Sequence, residues 1–295
     1  MATDHKSPED IKWNTRQRLQ YIELMAFYTG LVTRSDVARS FGISDAAATK
    51  DLKLYGQITP DNLMYRHSVF GFVPSKHFKE VFADLTPEAA LPLIAANLTH
   101  TGNPTDGESL FGIAVDTLPL PIRLPEKEVL AQITRATCQH RKLAIEYRSL
   151  SDRDSSQQRI VEPHTLIDTG LRWHVRAYSD DTFDFRDFVL SRIVSATLLD
   201  EEAESSPQYD DDWVEWLELE LTPHPKLSDS KQQSLLIDYG AETIIRLNIR
   251  RALIGYILQK LSVDTTHDHS LNPNAYQLVL VNRDEIEPFA GWAFL

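Results

Sequence analysis

The sequence predicts an α+β chain of several domains. Three observations carry this. The first eighty residues hold short amphipathic helices around a glycine turn, followed by a hairpin pattern. Residues 142–199 break into closely spaced strand-like runs behind a single helix. The tail from residue 213 alternates strand with helix. At 295 residues the length suits two or three domains.

The elements follow in order. Leu19, Ile22, Leu24, Ala26 and Phe27 form the apolar stripe of a helix over 12–29, and Gly30 is placed to stop it. Thr33, with Asp36 three residues on, predicts a capped helix Arg34–Phe41 that buries Val37, Ala38 and Phe41. Gly42 permits a turn. Ser44 caps a third helix, about Asp45–Gly56, with Ala47, Ala48, Leu52 and Tyr55 inward. Leu63–Tyr65 and Val69–Val73 read as a hairpin that turns at Arg66–Ser68. Residues 76–98 are expected to be helical, with Pro87 opening a second short helix. The segment 99–125, rich in Gly and Pro, reads as a linker.

A helix is expected at 126–141, then strands at 142–150, 158–168, 171–179 and 182–199, with turns at Ser151–Ser156, Thr169-Gly170 and Asp180-Asp181. Closely spaced strands of this kind suggest a small barrel. Residues 200–212 are acidic and read as a second linker. The tail reads as strand 213–222, helix 228–239, strand 242–249, helix 250–262 and strand 275–282. Trp213 and Trp216 are expected in its core. Leu253, Ile254, Ile257, Leu258 and Leu261 form a stripe that suits either a core or a dimer surface. The expected domains are therefore 1–98, 126–200 and 213–295.

Charge is uneven along the chain. The net charge is −13, yet residues 1–80 balance at +2 and residues 123–198 at +1, whereas 81–122 carry −5 and 199–295 carry −11. An acidic chain is repelled by polyanions at long range, so two Arg-rich regions inside it point to local use of their charge. The lone Cys138 excludes an intramolecular disulfide, favours a reducing compartment and reads as a buried thiol. The polar, acidic opening does not read as a signal peptide. No apolar run approaches the roughly 20 residues needed to span a bilayer. A cytoplasmic location and no membrane partner are expected.

The Thr33–Leu52 segment has helix-turn-helix logic: a short helix packed by Val37 and Ala38, a turn at Gly42, Ile43 beneath it, and a recognition helix capped by Ser44. Asp45, Thr49, Lys50 and Lys53 face outward, and Lys and Thr suit base edges or phosphates. The hairpin forms a wing with Arg66 and His67 at its tip. Double-stranded DNA is the expected partner of these residues together with Arg34 and Ser44. A solvated helical scaffold is the competing reading.

In the strand block, Arg172, His174, Arg176 and Tyr178 alternate with Leu171, Trp173, Val175 and Ala177. The next run continues with Arg186 and Arg192. Tyr147, Ser149, Arg159 and His164 come from neighbouring strands. Several arginines on one face repel one another unless an anion sits there, so this face is a candidate pocket for an anionic ligand, with Tyr147 and Tyr178 available to stack. A solvated, ion-paired face is the alternative.

These residues carry a resemblance. Arg172-Trp-His-Val-Arg-Ala-Tyr178, Phe185-Arg-Asp-Phe-Val-Leu-Ser-Arg-Ile193, Ile145-Glu-Tyr147 and Arg159-Ile-Val-Glu-Pro-His-Thr-Leu166 resemble the WYL domain, an Sm-like β-barrel. The signature stands here as Trp173-His174-Val175. The order of segments resembles the BrxR and CapW branch of WYL-domain repressors, found beside bacterial anti-phage islands. The resemblance implies a winged helix-turn-helix, an Sm-like (WYL) β-barrel and a C-terminal α+β extension that supports dimerisation. It also implies a homodimer on an inverted-repeat operator, and a nucleotide or single-stranded nucleic-acid effector. The effector residues it implies are Tyr147, Ser149, Arg159, His164, Arg172, His174, Arg176, Arg186 and Arg192. A single-stranded RNA- or DNA-binding accessory protein is the alternative, because Sm-like barrels bind single strands.

Enzymatic function is not expected. The sequence has no paired-carboxylate, HExxH, GxSxG or Walker pattern, so no catalytic residue and no cofactor are assigned. His267-Asp-His269 lacks a third ligand nearby and reads as a loop, so no metal site is expected.

Overall fold

A computed structural model describes residues 11–95, 123–150 and 157–294, with isolated positions 113, 118, 120 and 121. Most of the expected linker 99–125 and the Ser151–Ser156 turn lie outside the described residues. The chain divides into two units, 1–120 and 121–295.

In the first unit, α1 (Trp13–Thr29) ends where Gly30 turns left-handed, at φ 75°. The expected capping box at α2 (Arg34–Phe41) is present: Thr33 Oγ1 accepts from the Asp36 N–H, and the Asp36 carboxylate accepts from the Thr33 N–H. Gly42 closes this helix at φ 60°, and Ser44 caps α3 (Asp45–Ile58). The three helices share one core around Leu19, Ile22, Val37, Ala48, Leu52 and Tyr55. Arg18 and Asp51 form a mostly buried ion pair at 2.6 Å between α1 and α3. Strands β1 (Leu63–Arg66) and β2 (Gly71–Pro74) form the antiparallel wing, with a 3-10 turn over His67–Val69.

The helix expected over 76–98 is only partly formed. Helix α4 spans Pro87–Ala95, and residues 76–86 are irregular. The reason is a buried carboxylate far away in sequence. Glu23 on α1 accepts the backbone N–H of Val81, Phe82 and Ala83 at 2.7–3.1 Å, and the Tyr55 hydroxyl at 2.9 Å. Backbone donors already spent on a side chain do not close helical turns.

The second unit opens with α5 (Lys127–Gln139), whose Val129, Ile133 and Ala136 point onto a sheet at i, i+4, i+7 spacing. That antiparallel sheet has the order β6-β5-β4-β3-β7, from β3 (Arg141–Tyr147), β4 (Gln157–Asp168), β5 (Trp173–Ser179), β6 (Asp184–Val189) and β7 (Ile193–Glu202). Among the described residues β6 and β7 do not pair, so the expected barrel is not closed. The run expected over 182–199 is two strands, split by a 3-10 turn at Leu190–Arg192. Cys138 is exposed at the end of α5 and does not serve as core.

The expected linker 200–212 is structured. Strand β7 reaches Glu202, a 3-10 turn covers Pro207–Tyr209, and Asp210 caps the short α6 (Asp211–Val214). Beyond it lie β8 (Trp216–Pro223), α7 (Asp229–Asp238), β9 (Ile245–Arg250), α8 (Ile254–Lys260), β10 (Val263–Asp264), β11 (Leu278–Leu280) and α9 (Arg283–Ala290). Their sheet has the order β10-β11-β8-β9, with β10 and β11 parallel. Ile254 and Leu258 are buried in this core, with Leu219, Leu221 and Ile286. The two tryptophans expected in the core sit at its margin instead. Trp216 is exposed and Trp213 half-buried, with the Arg250 guanidinium 4.5 and 4.6 Å from their ring centres. A cation held between two aromatic rings keeps its charge near water while the rings cover its stem.

Candidate functional site

The first candidate surface is built by α3 and the wing. Amphipathic spacing turns Asp45, Thr49, Lys50 and Lys53 outward, and all four are exposed, as are Arg66 and His67 at the wing tip. Arg34 is exposed at the start of α2 and pairs with Asp45 at 3.2 Å. Two hydroxyls are committed to the backbone: Ser44 Oγ accepts from the Ala47 N–H, and Thr49 Oγ1 donates to the Asp45 carbonyl at 2.8 Å. A cleft of about 690 Å³ lies between helix and wing, bordered by Arg34, Thr49, Lys53, Tyr65 and Phe70. The sequence reading missed Tyr65 and Phe70. Their signal was an aromatic residue on either side of the Arg66–His67 tip.

The second candidate surface differs more from expectation. The strands do not build one arginine face, because both sides of β5 are covered. Val175 and Ala177 lie in the core that they share with α5, while His174 and Arg176 are buried on the other side, beside α8 and the 206–215 segment. Arg176 gives Nε and Nη2 to the two oxygens of Asp210 at 2.5 and 2.8 Å, and Nη1 to Asp187 at 3.1 Å. His164 meets the same Asp210 at 3.1 Å through Nε2. Burial alone would raise the Asp210 pKa. The hydrogen bonds from His164 and Arg176 outweigh burial and bring it down to about 2.

Tyr147 also departs from expectation. It is buried in the core, edge-on to Phe188 at 5.2 Å, and its hydroxyl oxygen accepts from the Val189 N–H. The Arg159 guanidinium lies 5.6 Å from the Tyr147 ring centre, so that face is covered. Arg186 is exposed and pairs with Asp184 at 3.2 Å. Tyr178 is half-buried against Phe185, and Ser149 is half-buried.

What remains is a smaller cationic group. Arg172 and Arg192 are half-buried, and neither side chain has an ion pair or hydrogen bond among the described residues. Both charges act on His174, which is 1% exposed and whose Nδ1 has no hydrogen-bond partner among the described residues. Burial pushes the His174 pKa down. Asp187 and the Arg172 backbone pull it up, while the Arg172 and Arg192 charges push it further down, and the balance disfavours the protonated ring. Arg148 follows Tyr147 at the end of β3, is exposed, and donates its backbone N–H to the Arg192 carbonyl. The His174 ring packs on Tyr256 of α8, at 5.0 Å between centres, and the Tyr256 hydroxyl donates to Asp187 at 3.0 Å. Burial, together with contact with that carboxylate, raises the tyrosine's pKa. Gly255 seats this packing, since a Cβ there would lie 2.3 Å from the Trp292 ring.

A cavity of about 820 Å³ elsewhere on the same unit has the wrong sign for an anion. Its walls include Glu162, Asp180, Asp184 and Glu204 against Lys142 alone.

Three family models match the chain in order. They are the BrxR transcriptional regulator winged helix-turn-helix domain over residues 14–96, the WYL domain over 128–198, and the BrxR transcriptional regulator C-terminal dimerization domain over 216–286. The DNA-binding transcriptional repressor CapW of Escherichia coli (strain KTE188) is 32% identical over 291 residues, spanning 95% of this chain and 93% of its own. CapW of Stenotrophomonas maltophilia is 29% identical over 280 residues, spanning 94% and 92%. Among solved structures, proteasome accessory factor B/C of Arthrobacter aurescens aligns with 95% of this chain and 48% of its own at 19% identity. Its TM-score of 0.26 carries no structural argument.

Proposed function

The chain belongs to the BrxR and CapW family of DNA-binding transcriptional repressors, and we propose that it works as a homodimer released from its operator by an anionic effector. Each protomer brings α3 to one half-site of an inverted repeat, with Lys50 and Lys53 on base edges or phosphates and Arg66 and His67 at the flanking groove. Dimerisation through the 213–295 extension doubles these interactions. That matters because the local positive excess is small and each neutralised phosphate adds salt-sensitive affinity.

The observation that carries the effector reading is the Arg172, Arg192 and His174 group. Arg176 and Arg186 in the same block are paired with carboxylates, whereas among the described residues these two arginines are not, and both charges act on an imidazole whose Nδ1 has no partner there. A nucleotide or a short single strand offers phosphate oxygens to the arginines and a base or hydroxyl to the imidazole. Tyr256 then links the site to the C-terminal extension, through His174 on one side and the Asp187–Arg176–Asp210 chain on the other. Effector binding shifts the dimer toward a geometry whose recognition helices miss the half-site spacing. A near-complete switch requires the effector to favour that state by about 5.5 kcal/mol. The family resemblance extends the reading to control of a phage-defence operon.

A gel shift on the protein's own upstream DNA tests this. Tight, salt-sensitive binding to an inverted repeat, released by oligonucleotides or nucleotides, supports it. Binding only to single-stranded RNA or DNA overturns it in favour of an accessory role. Sequencing the neighbouring genes tests the operon.

A further inference from the structure

Phe70 sits at the wing tip with 79% of its surface exposed and its backbone left-handed, at φ 49°. Both properties are costly. A bulky residue is strained at positive φ, and a phenyl ring in water forgoes the gain of burial. The strand that follows holds the ring there. Phe70 N–H bonds the His67 carbonyl, and Val32 and Phe72 exchange both backbone hydrogen bonds at 2.9 Å. Gly71 lies so close to the preceding loop that a Cβ would stand 2.6 Å from Leu31 Cδ1. The hairpin base is thereby clamped beside α2 and the tip presents its ring outward.

The neighbours indicate what the ring meets. Arg66 and His67 are exposed on the same tip, and Tyr65 braces His67 edge-on at 5.0 Å. Phe70 also borders the cleft that holds Arg34, Thr49 and Lys53. An apolar ring set among cations suits a groove with phosphate walls and a stacked base floor. It does not suit a flat phosphate surface, where a ring adds nothing.

We propose that Phe70 is a wedge that enters the minor groove beside the bases faced by α3, partly unstacks one base step and kinks the operator. This rests on the DNA-binding reading of the wing and goes beyond it. Wedges of this kind bend a duplex by roughly 20–90°, and TA and CA steps deform most cheaply. The inserted ring therefore adds sequence preference at a step that no side chain reads by hydrogen bonding. It also adds affinity without charge, in a chain whose net charge is −13.

The experiment measures energy transfer between dyes at the two ends of an operator fragment, using full-length protein. Wild type is expected to shorten the end-to-end distance. Phe70→Ala and Phe70→Asn, the latter tolerant of left-handed backbone, are expected to leave the DNA near straight and to bind roughly ten- to a hundredfold more weakly. Phe70→Leu, which keeps an apolar wedge, is expected to retain most of the bend. Replacing the flanking TA or CA step by a purine run is expected to weaken wild type and leave Phe70→Ala unaffected. That arm needs no altered protein to read the wild-type effect. Unchanged bend and affinity in Phe70→Ala, or wild-type indifference to the step, overturns the wedge while leaving DNA binding intact. Wild type that binds no duplex at all overturns the DNA reading itself, and the wedge with it.

Discussion

Arg176 and Asp210 form a two-pronged buried ion pair, Nε to Oδ2 at 2.5 Å and Nη2 to Oδ1 at 2.8 Å, across thirty-four residues of sequence. Asp210 also takes His164 and caps α6, so one carboxylate ties the WYL sheet to the extension that follows it.

Asp210→Ala leaves a buried guanidinium with only part of its compensation. Breaking such a pair from one side costs about 3–5 kcal/mol. Urea denaturation of the full chain is expected to show that loss in the transition of the 121–295 unit. Replacing Arg186, whose partner Asp184 is exposed, is expected to change stability by less than about 1 kcal/mol.

The same carboxylate sets an acid dependence. Its pKa falls from 3.8 in the unfolded chain to about 2 in the fold. A depressed carboxylate stabilises the fold above its unfolded pKa and loses that contribution as the pH drops through the folded one. Stability is therefore expected to decline between about pH 4 and pH 2, by on the order of 2 kcal/mol from this group. Denaturation midpoints measured across that range check it. The part of the slope due to this group should vanish in Asp210→Asn.

Glu23 holds three backbone N–H groups and the Tyr55 hydroxyl. Glu23→Ala removes the acceptor of four donors at once, those of Phe82 and Tyr55 buried and those of Val81 and Ala83 partly so. Each buried group left unsatisfied costs about 1–3 kcal/mol, so the first unit is expected to be destabilised by several kcal/mol. Calorimetry should show its transition lowered while that of the second unit stays in place.

The two cationic groups are expected to divide their labour. Lys50→Ala with Lys53→Ala should abolish operator binding and spare the dimer, as read by gel shift and sedimentation. Either single variant should flatten the salt dependence by about 0.9 for each phosphate that the protein no longer neutralises. Arg172→Ala or Arg192→Ala should leave operator binding intact and block release by the effector. Sheet variants that lose operator binding as badly as the helix variants would sink the sensor assignment.

How much was legible in the sequence depended on how local each cause was. Helix α2 could be read to its end residues because Thr33, Asp36 and Gly42 lie within ten positions of one another. Residues 76–86 could not, because the backbone donors of Val81, Phe82 and Ala83 in their middle bond Glu23, about sixty residues earlier. The alternation of β5 was visible, but not that α8 and the Asp210 turn cover its second side. Thus Arg176 read as a ligand-binding residue where the structure buries it in an ion pair. Asp210 itself lay inside an acidic stretch that read as a linker. Its signal was the capping position ahead of Asp211-Asp212-Trp213. Lys50, Lys53 and Arg66 were legible because amphipathic spacing and a turn suffice to expose them.

The Asp210 anchor also limits where the protein can be dissected. A fragment cut after residue 200 would carry Arg176 and His164 but not the carboxylate that answers both. Its failure to fold or to take up an effector would say nothing about the intact molecule. A usable excised sensor has to run on past Val214 and through α8, so that both the anchoring turn and Tyr256 travel with the sheet they hold.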